Sequence, residues 1–249
     1  MSQLDVERAV EGATYVVHLA SPVPYAEPDK AGQEAVIRTA REGALTVLRA
    51  ASKFGIKRVV MTSSIAAVRD VWPKDRLPPG TPYTEENWAD PTFQRTQAVY
   101  KVSKTLAEKA AWEYQKSLDK TKQFEFVTLC PSLLIGRLPG SRSNTSHDML
   151  NDFFLSKVPP VNSKFSWVAI QDVAEAHLRA VKVPEAANHR FILNGMTSFV
   201  PEFLGKVNEH FGPLGYTIPL KSPPYFAIYI GSFFITNVAR LLTILNNDY

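Results

Sequence analysis

The 249 residues hold a single cysteine, Cys130. One cysteine cannot close an internal disulfide, so no disulfide framework holds this fold together. Cys130 lies in an apolar run and reads as a small buried strand residue rather than a nucleophile. Charge of one sign is also scarce. The net charge is +4, and basic residues are interleaved with acids, as in "AEKAAWEYQKSLDK". Without a basic stripe, nucleic acid is not an expected partner. The N-terminus, "MSQLDVERAVEGA", is polar and acidic and lacks the apolar core of a signal peptide. With the lone cysteine, this fits the reducing cytoplasm. The longest apolar run, residues 225–245, is broken by Asn237 and Arg240. It falls short of a clean span of about 20 residues and reads as a buried or membrane-surface helix, with weak membrane contact as one expected role. There is no internal repeat or low-complexity linker, and no metal site is expected.

Glycine is sparse where nucleotide chemistry would need it. The 12 glycines are dispersed. None makes Gly-x-Gly-x-x-Gly or a near variant, and none follows a first strand. Such a turn lets backbone N–H groups approach a pyrophosphate at a helix N-terminus.

What the sequence does contain is an alternation of strand and helix signals. "TYVVHL", Thr14 to Leu19, is a short apolar run closed by Ser-Pro and predicts a strand. In "QEAVIRTAREGALTVLRAASKFG", Val36, Ala40, Gly43, Ala44, Val47 and Ala51 recur at helical spacing, with Gly55 as a stop. Arg58 to Thr62 predicts a strand, and residues 71–91 a loop rich in proline and acid. The stretch 99–114 predicts a helix with Val99, Val102, Leu106 and Ala110 on its apolar face. "FEFVTLCP" predicts a third strand ended by Pro131. After Gly136 the pattern loosens: a loop at 136–147, then a helix at 147–156. A short strand leads into a helix over 165–184, capped by Asp172 with Glu175 completing a capping box. A strand at 190–195 and a helix at 201–211 follow. Strand–helix alternation with apolar strands predicts an α/β fold, a parallel sheet covered on both faces.

The chemistry concentrates on the helix at 99–114. Tyr100 and Lys104 stand one turn apart and share a face, while Lys101 and Ser103 are expected to point elsewhere. A free tyrosine has a pKa near 10. A neighbouring ammonium favours the phenolate and lowers that value. Such a tyrosine can protonate a carbonyl oxygen as hydride reaches the carbon, or do the reverse. "VVMTSS" places Ser63 and Ser64 at the carboxyl end of a strand, where ligands bind in open parallel sheets. "HLASP" and "CPSLLIG" end the flanking strands at the same edge.

In "VVHLASP", "VVMTSS", "YKVSK" with "TLAEKAAWEY", "CPSLLIG" and "VAIQDVAEAHLRAV", the chain resembles an extended short-chain dehydrogenase/reductase. It is most similar to the dihydroflavonol, anthocyanidin and cinnamoyl-CoA reductase group. The resemblance runs from about Ala13 to Ala180, in the family's order. It implies a Rossmann-type sheet and NAD(P)-dependent chemistry on a small carbonyl or secondary alcohol, with NADP(H) ahead of NAD(H). Tyr100 would be the acid/base, Lys104 its pKa-lowering and ribose-binding partner, and Ser64 the group orienting the substrate oxygen. Leu19, Ala20, Ser21, Pro131, Leu133 and Leu134 would border the cofactor together with Tyr100 and Lys104. His18 and His177 read as structural.

Against that family the glycine-rich start is missing. The expectation is a partial Rossmann-type sheet, the family's strands 4 onward, in residues 1–135. A small substrate-binding part at 136–249 would pack on it and end in an apolar helix. The strand at 15–19 would then be an exposed edge open to pairing with another chain. Turnover by these 249 residues alone is not expected. The other reading is a non-catalytic remnant, or an interaction protein of the same fold.

Overall fold

The structure is a computed structural model that describes residues 2–24, 28–69, 77–78, 80–91, 99–137, 140, 145–155, 159–160, 162–224 and 226–227. The chain divides into two compact units. The first comprises residues 1–70, 77–132 and 171–193, and the second 71–76, 133–170 and 194–249. A single cut at 135/136 therefore does not describe the chain. Residues 171–193 return to the first unit because they supply the last strand of its sheet.

That sheet holds β1 (Tyr15–His18), β2 (Arg58–Thr62), β3 (Glu125–Pro131) and β6 (Arg190–Leu193) in the order β1-β2-β3-β6, all parallel. The registers His18↔Met61 and Thr62↔Leu129 bring the carboxyl ends of the first three strands to one edge of the sheet. Two helices, α2 (Lys30–Lys53) and α3 (Val99–Ser117), cover one face. Small residues line their contact with the sheet (Ala40, Ala44, Ala51, Ala107 and Ala111), against Val59, Met61 and Phe126. The Trp112 ring meets Phe126 edge-on at 4.6 Å. The alternate strand residues Val60, Val127 and Leu129 face Ala180 of α5 (Ile170–Lys182) on the other side. Burial on both faces explains why β2 and β3 are almost uninterruptedly apolar.

Several local expectations change. The N-terminal stretch forms a helix, α1 (Gln3–Val10), fixed by a reciprocal capping box between Ser2 and Asp5. Helix α2 starts earlier than its apolar repeat suggests, because Asp29 Oδ1 accepts from the Gly32 N–H and caps it. Asp172 does not cap α5. That helix begins at Ile170, so Asp172 lies inside its first turn, where its charge complements the helix dipole.

The second unit has a three-stranded sheet, β4 (Leu133–Ile135), β5 (Lys164–Ala169) and β7 (Met196–Phe199), with β4–β5 parallel and β5–β7 antiparallel. Its core joins Phe165 and Trp167 to Leu150 and Phe153 of α4 (Thr145–Phe154) and to Val200 and Leu204 of α6 (Val200–Phe211). Among the described residues no helix is long and apolar enough to cross a membrane. The apolar run at 225–245 lies outside the described residues except for 226–227, and so does most of the stretch 70–79.

Candidate active site

The carboxyl end of β2 runs into the turn Ser63–Ser64, and the two serines have different partners. Ser63 Oγ donates to the Glu108 carboxylate at 2.6 Å. Ser64 has extended backbone, and its Oγ accepts from the Ala66 N–H at 3.1 Å, capping one turn of 3-10 helix. Ser64 also shares a side-chain hydrogen bond with Tyr100 that favours the phenolate. Of the pair, Ser64 is therefore the one that faces Tyr100, while Ser63 is held by Glu108.

On α3, Tyr100 and Lys104 do lie on one face. The Lys104 Nζ stands 5.8 Å from the centre of the Tyr100 ring and donates to the Thr62 carbonyl at 3.3 Å. Lys104 is 4 % exposed. Burial disfavours its ammonium and lowers its pKa to about 8, a shift that Glu108 opposes. The tyrosine differs from the sequence expectation. Burial raises its pKa, and the Ser64 hydrogen bond is the influence that lowers it; the ammonium of Lys104 is not among them.

The buried face of α3 matches the expected apolar stripe only at Val99 and Ala110. Val102 and Leu106 are only half-buried, whereas Ser103, Lys104, Thr105 and Glu108 are buried. Ser103 does not point away: its Oγ donates to the Tyr100 carbonyl at 2.7 Å, one turn back. The helix packs on the sheet face, but its first turns reach the carboxyl end of β2, where Lys104 meets the Thr62 carbonyl and Glu108 the Ser63 hydroxyl.

His18 ends β1 half-buried. Desolvation lowers its pKa, and the Lys104 charge lowers it further, so it senses the same site. Leu19 and Ala20 follow it exposed and Ser21 half-buried, at the same sheet edge. Pro131 closes β3, buried. Ser132 follows, and its buried hydroxyl lacks a hydrogen-bond partner among the described residues. Leu133 and Leu134 belong to β4 in the second unit. His177 is structural: Nδ1 donates to the Val173 carbonyl, and Nε2 faces the Thr62 hydroxyl, each at 2.7 Å.

Sequence reasoning missed Glu108 and Arg190. Glu108 is fully buried, and Arg190 Nε donates to it at 2.7 Å. The signal was present in "KTLAEKAAWEY": a glutamate four residues after the lysine, on the same helical face.

The sequence profile of the NAD dependent epimerase/dehydratase family matches residues 1–194. Tetraketide alpha-pyrone reductase 1 of Arabidopsis thaliana is 33 % identical over 223 residues, covering 86 % of this chain and 64 % of that protein. Anthocyanidin reductase of Arabidopsis thaliana is 30 % identical over 210 residues, with coverages of 79 % and 59 %. The chain thus spans less than two thirds of the length of these curated relatives. Among solved structures, Gre2 of Candida albicans in complex with NADPH aligns with a TM-score of 0.75 at 30 % identity, over 87 % of this chain and 66 % of that one. Yeast methylglyoxal/isovaleraldehyde reductase Gre2, complexed with NADPH, gives 0.76 at 26 % identity, with coverages of 89 % and 68 %.

Proposed function

Because the chain belongs to the NAD dependent epimerase/dehydratase family, we propose that its site is that of an NADP(H)-dependent reductase acting on the carbonyl of a small molecule, or in reverse on a secondary alcohol. The observation that carries this reading is the meeting of Ser64, Tyr100 and buried Lys104 at the carboxyl end of β2. The NADPH complexes of both Gre2 structures support the choice of NADP(H).

The residues present fit the nicotinamide–ribose end of such a cofactor. An ammonium has three donors, and among the described residues only the Thr62 carbonyl accepts one from Lys104. The remaining donors are free for ribose hydroxyls. The unpartnered Ser132 hydroxyl lies at the end of the neighbouring strand, next to Pro131. A glycine-rich turn for the pyrophosphate is not in the sequence.

When bound, the nicotinamide supplies hydride to the carbonyl carbon. Tyr100 gives its proton to the carbonyl oxygen, and its elevated pKa keeps that proton in place until the oxygen becomes basic. Ser64 holds the same oxygen and the phenol in line. Lys104, over the Tyr100 ring, would hold the ribose and so set the nicotinamide beside the phenol. A second reading, a non-catalytic protein of the same fold, rests on the missing glycine-rich turn.

Calorimetric titration with NADPH, followed by NADPH consumption over a panel of aldehydes and ketones, tests the proposal. Binding, with consumption that is lost in Tyr100→Phe, is the expected result. Binding without turnover of any carbonyl would favour the second reading. No binding at all would sink the reductase reading for this chain.

A further inference from the structure

Arg190 is buried at the start of β6, and all five of its N–H donors are engaged. Nε and one Nη2 hydrogen go to the two Glu108 oxygens, at 2.7 and 3.2 Å. The other Nη2 hydrogen goes to the Ala67 carbonyl at 3.0 Å. Both Nη1 hydrogens go to carbonyls of the loop before α3, those of Glu85 and Asn87. The guanidinium carbon stands over the ring of Trp88 in that loop, 3.7 Å from its centre. The far side of Glu108 accepts from Ser63. One buried ion pair thus joins the serine turn, the Tyr100–Lys104 helix, the last strand and the loop at 84–90.

We propose that the Glu108–Arg190 pair is the positioning element of the site: it supplies the negative charge that balances Lys104 and anchors the Ser63–Ser64 turn beside Tyr100. A purely structural pair would need neither link. A buried ion pair seldom adds net stability over a well-packed apolar pair, so stability alone is a weak reason to have one here. Glu108 is one helical turn from Lys104, and its charge favours the ammonium that burial opposes. The other groups around Lys104 do this less or not at all. From β1, His18 contributes no negative charge. From β2 comes only the neutral Thr62 carbonyl. On α3 itself Tyr100 holds its proton, its pKa raised by burial. From β3, Cys130 acts on Lys104 in the same direction as Glu108 but comes second to it, and burial pushes its thiol well above its ordinary pKa, so it is neutral near pH 8. From β6, Arg190 is positive. Glu108 is therefore the single anion set against Lys104 among the described residues.

This inference deepens the reductase reading, and in that setting the positive charge it secures is the one that would hold the ribose. Its test needs neither cofactor nor turnover, so it can fail while the reductase reading stands, and the reverse. The protein is labelled with 13C at lysine Cε, and the Lys104 resonance, identified by its loss in Lys104→Met, is followed against pH. In the unaltered chain the midpoint is expected at about 8. In Glu108→Gln the proton affinity of Lys104 is expected to fall about tenfold or more. Where that variant does not fold, Glu108→Gln/Arg190→Met removes both buried charges together and is expected to lower the midpoint in the same direction. Ser63→Ala, which takes one hydrogen bond from Glu108 and leaves its charge less shielded, is expected to raise it. A folded Glu108 variant with an unchanged midpoint overturns the proposal. So does failure of both Glu108 variants to fold together with an unchanged midpoint in Ser63→Ala.

Discussion

Thr62 Oγ and His177 Nε2 stand 2.7 Å apart, and the opposite ring nitrogen of His177 stands 2.7 Å from the Val173 carbonyl. A carbonyl can only accept, so Nδ1 carries the proton and Nε2 accepts from the threonine hydroxyl. The histidine thereby links α5 to the end of β2, directly beneath the serine turn. A double-mutant cycle with Thr62→Val and His177→Phe is expected to give a coupling energy of about 1 kcal/mol in urea unfolding, with His177→Phe alone costing about 1–3 kcal/mol. A coupling of zero would mean that the contact contributes nothing to the fold.

Lys104 ties stability to alkaline pH. In an unfolded chain its proton is held up to about pH 10.5, the ordinary value for a lysine, whereas in the folded chain it is released above about 8. Between these values the unfolded state binds more protons, so stability rises with pH; below about 8 both states are protonated and the penalty is constant. The interval corresponds to a contribution on the order of 3 kcal/mol. Lys104→Met is expected to be more stable than the parent at pH 7, with that advantage shrinking as pH climbs toward 10. Denaturant midpoints at a series of pH values measure it. In the same variant the His18 pKa is expected to rise, because the Lys104 charge is one of the two influences that depress it.

Ser64 acts on a second titratable group, Tyr100. The hydrogen bond from Ser64 is the influence that lowers the Tyr100 pKa against burial, so Ser64→Ala is expected to move the phenol further up. Ultraviolet titration of the tyrosinate band, with Tyr100→Phe as the reference, reads this directly. Should carbonyl reduction be observed, Tyr100→Phe is expected to lower its rate by about 10²–10⁴-fold, the usual worth of a positioned acid.

Strand β1 is an edge of its sheet, with Tyr15 40 % and Val17 43 % exposed on the same side. Exposed apolar strands at a sheet edge template pairing with other chains, and an edge lysine suppresses it. Val17→Lys is expected to reduce concentration-dependent self-association in sedimentation velocity. An identical distribution for parent and variant would remove β1 from consideration as a pairing surface.

The parallel sheet was legible because β2 and β3 are buried on both faces and their apolar runs leave no other interpretation. The Tyr100–Lys104 face was legible because helical spacing alone places those two residues together. The Glu108–Arg190 pair was not, because 82 residues separate its members and they sit on a helix and a strand, α3 and β6, that meet only in the tertiary fold. The buried polar face of α3 escaped for a related reason. Periodicity identifies the side of a helix that avoids water, but where α3 reaches the end of β2 it buries serine, lysine and glutamate against polar partners. The caps of α1 and α2 depended on single residues, Ser2 and Asp29, just outside the repeats that define those helices.

At the opposite end of the strands, Arg58 pairs with Glu125 at 2.7 Å and donates to the Ala180, Val181, Val183 and Pro184 carbonyls at the close of α5. It is nearly inaccessible and lies at the start of β2, four residues before the Thr62 carbonyl that receives Lys104. A germline change at Arg58 would therefore strand several carbonyls without touching an atom of the candidate chemistry. In a cell, such a lesion would show as less protein surviving quality control, while the molecules that did fold would work normally.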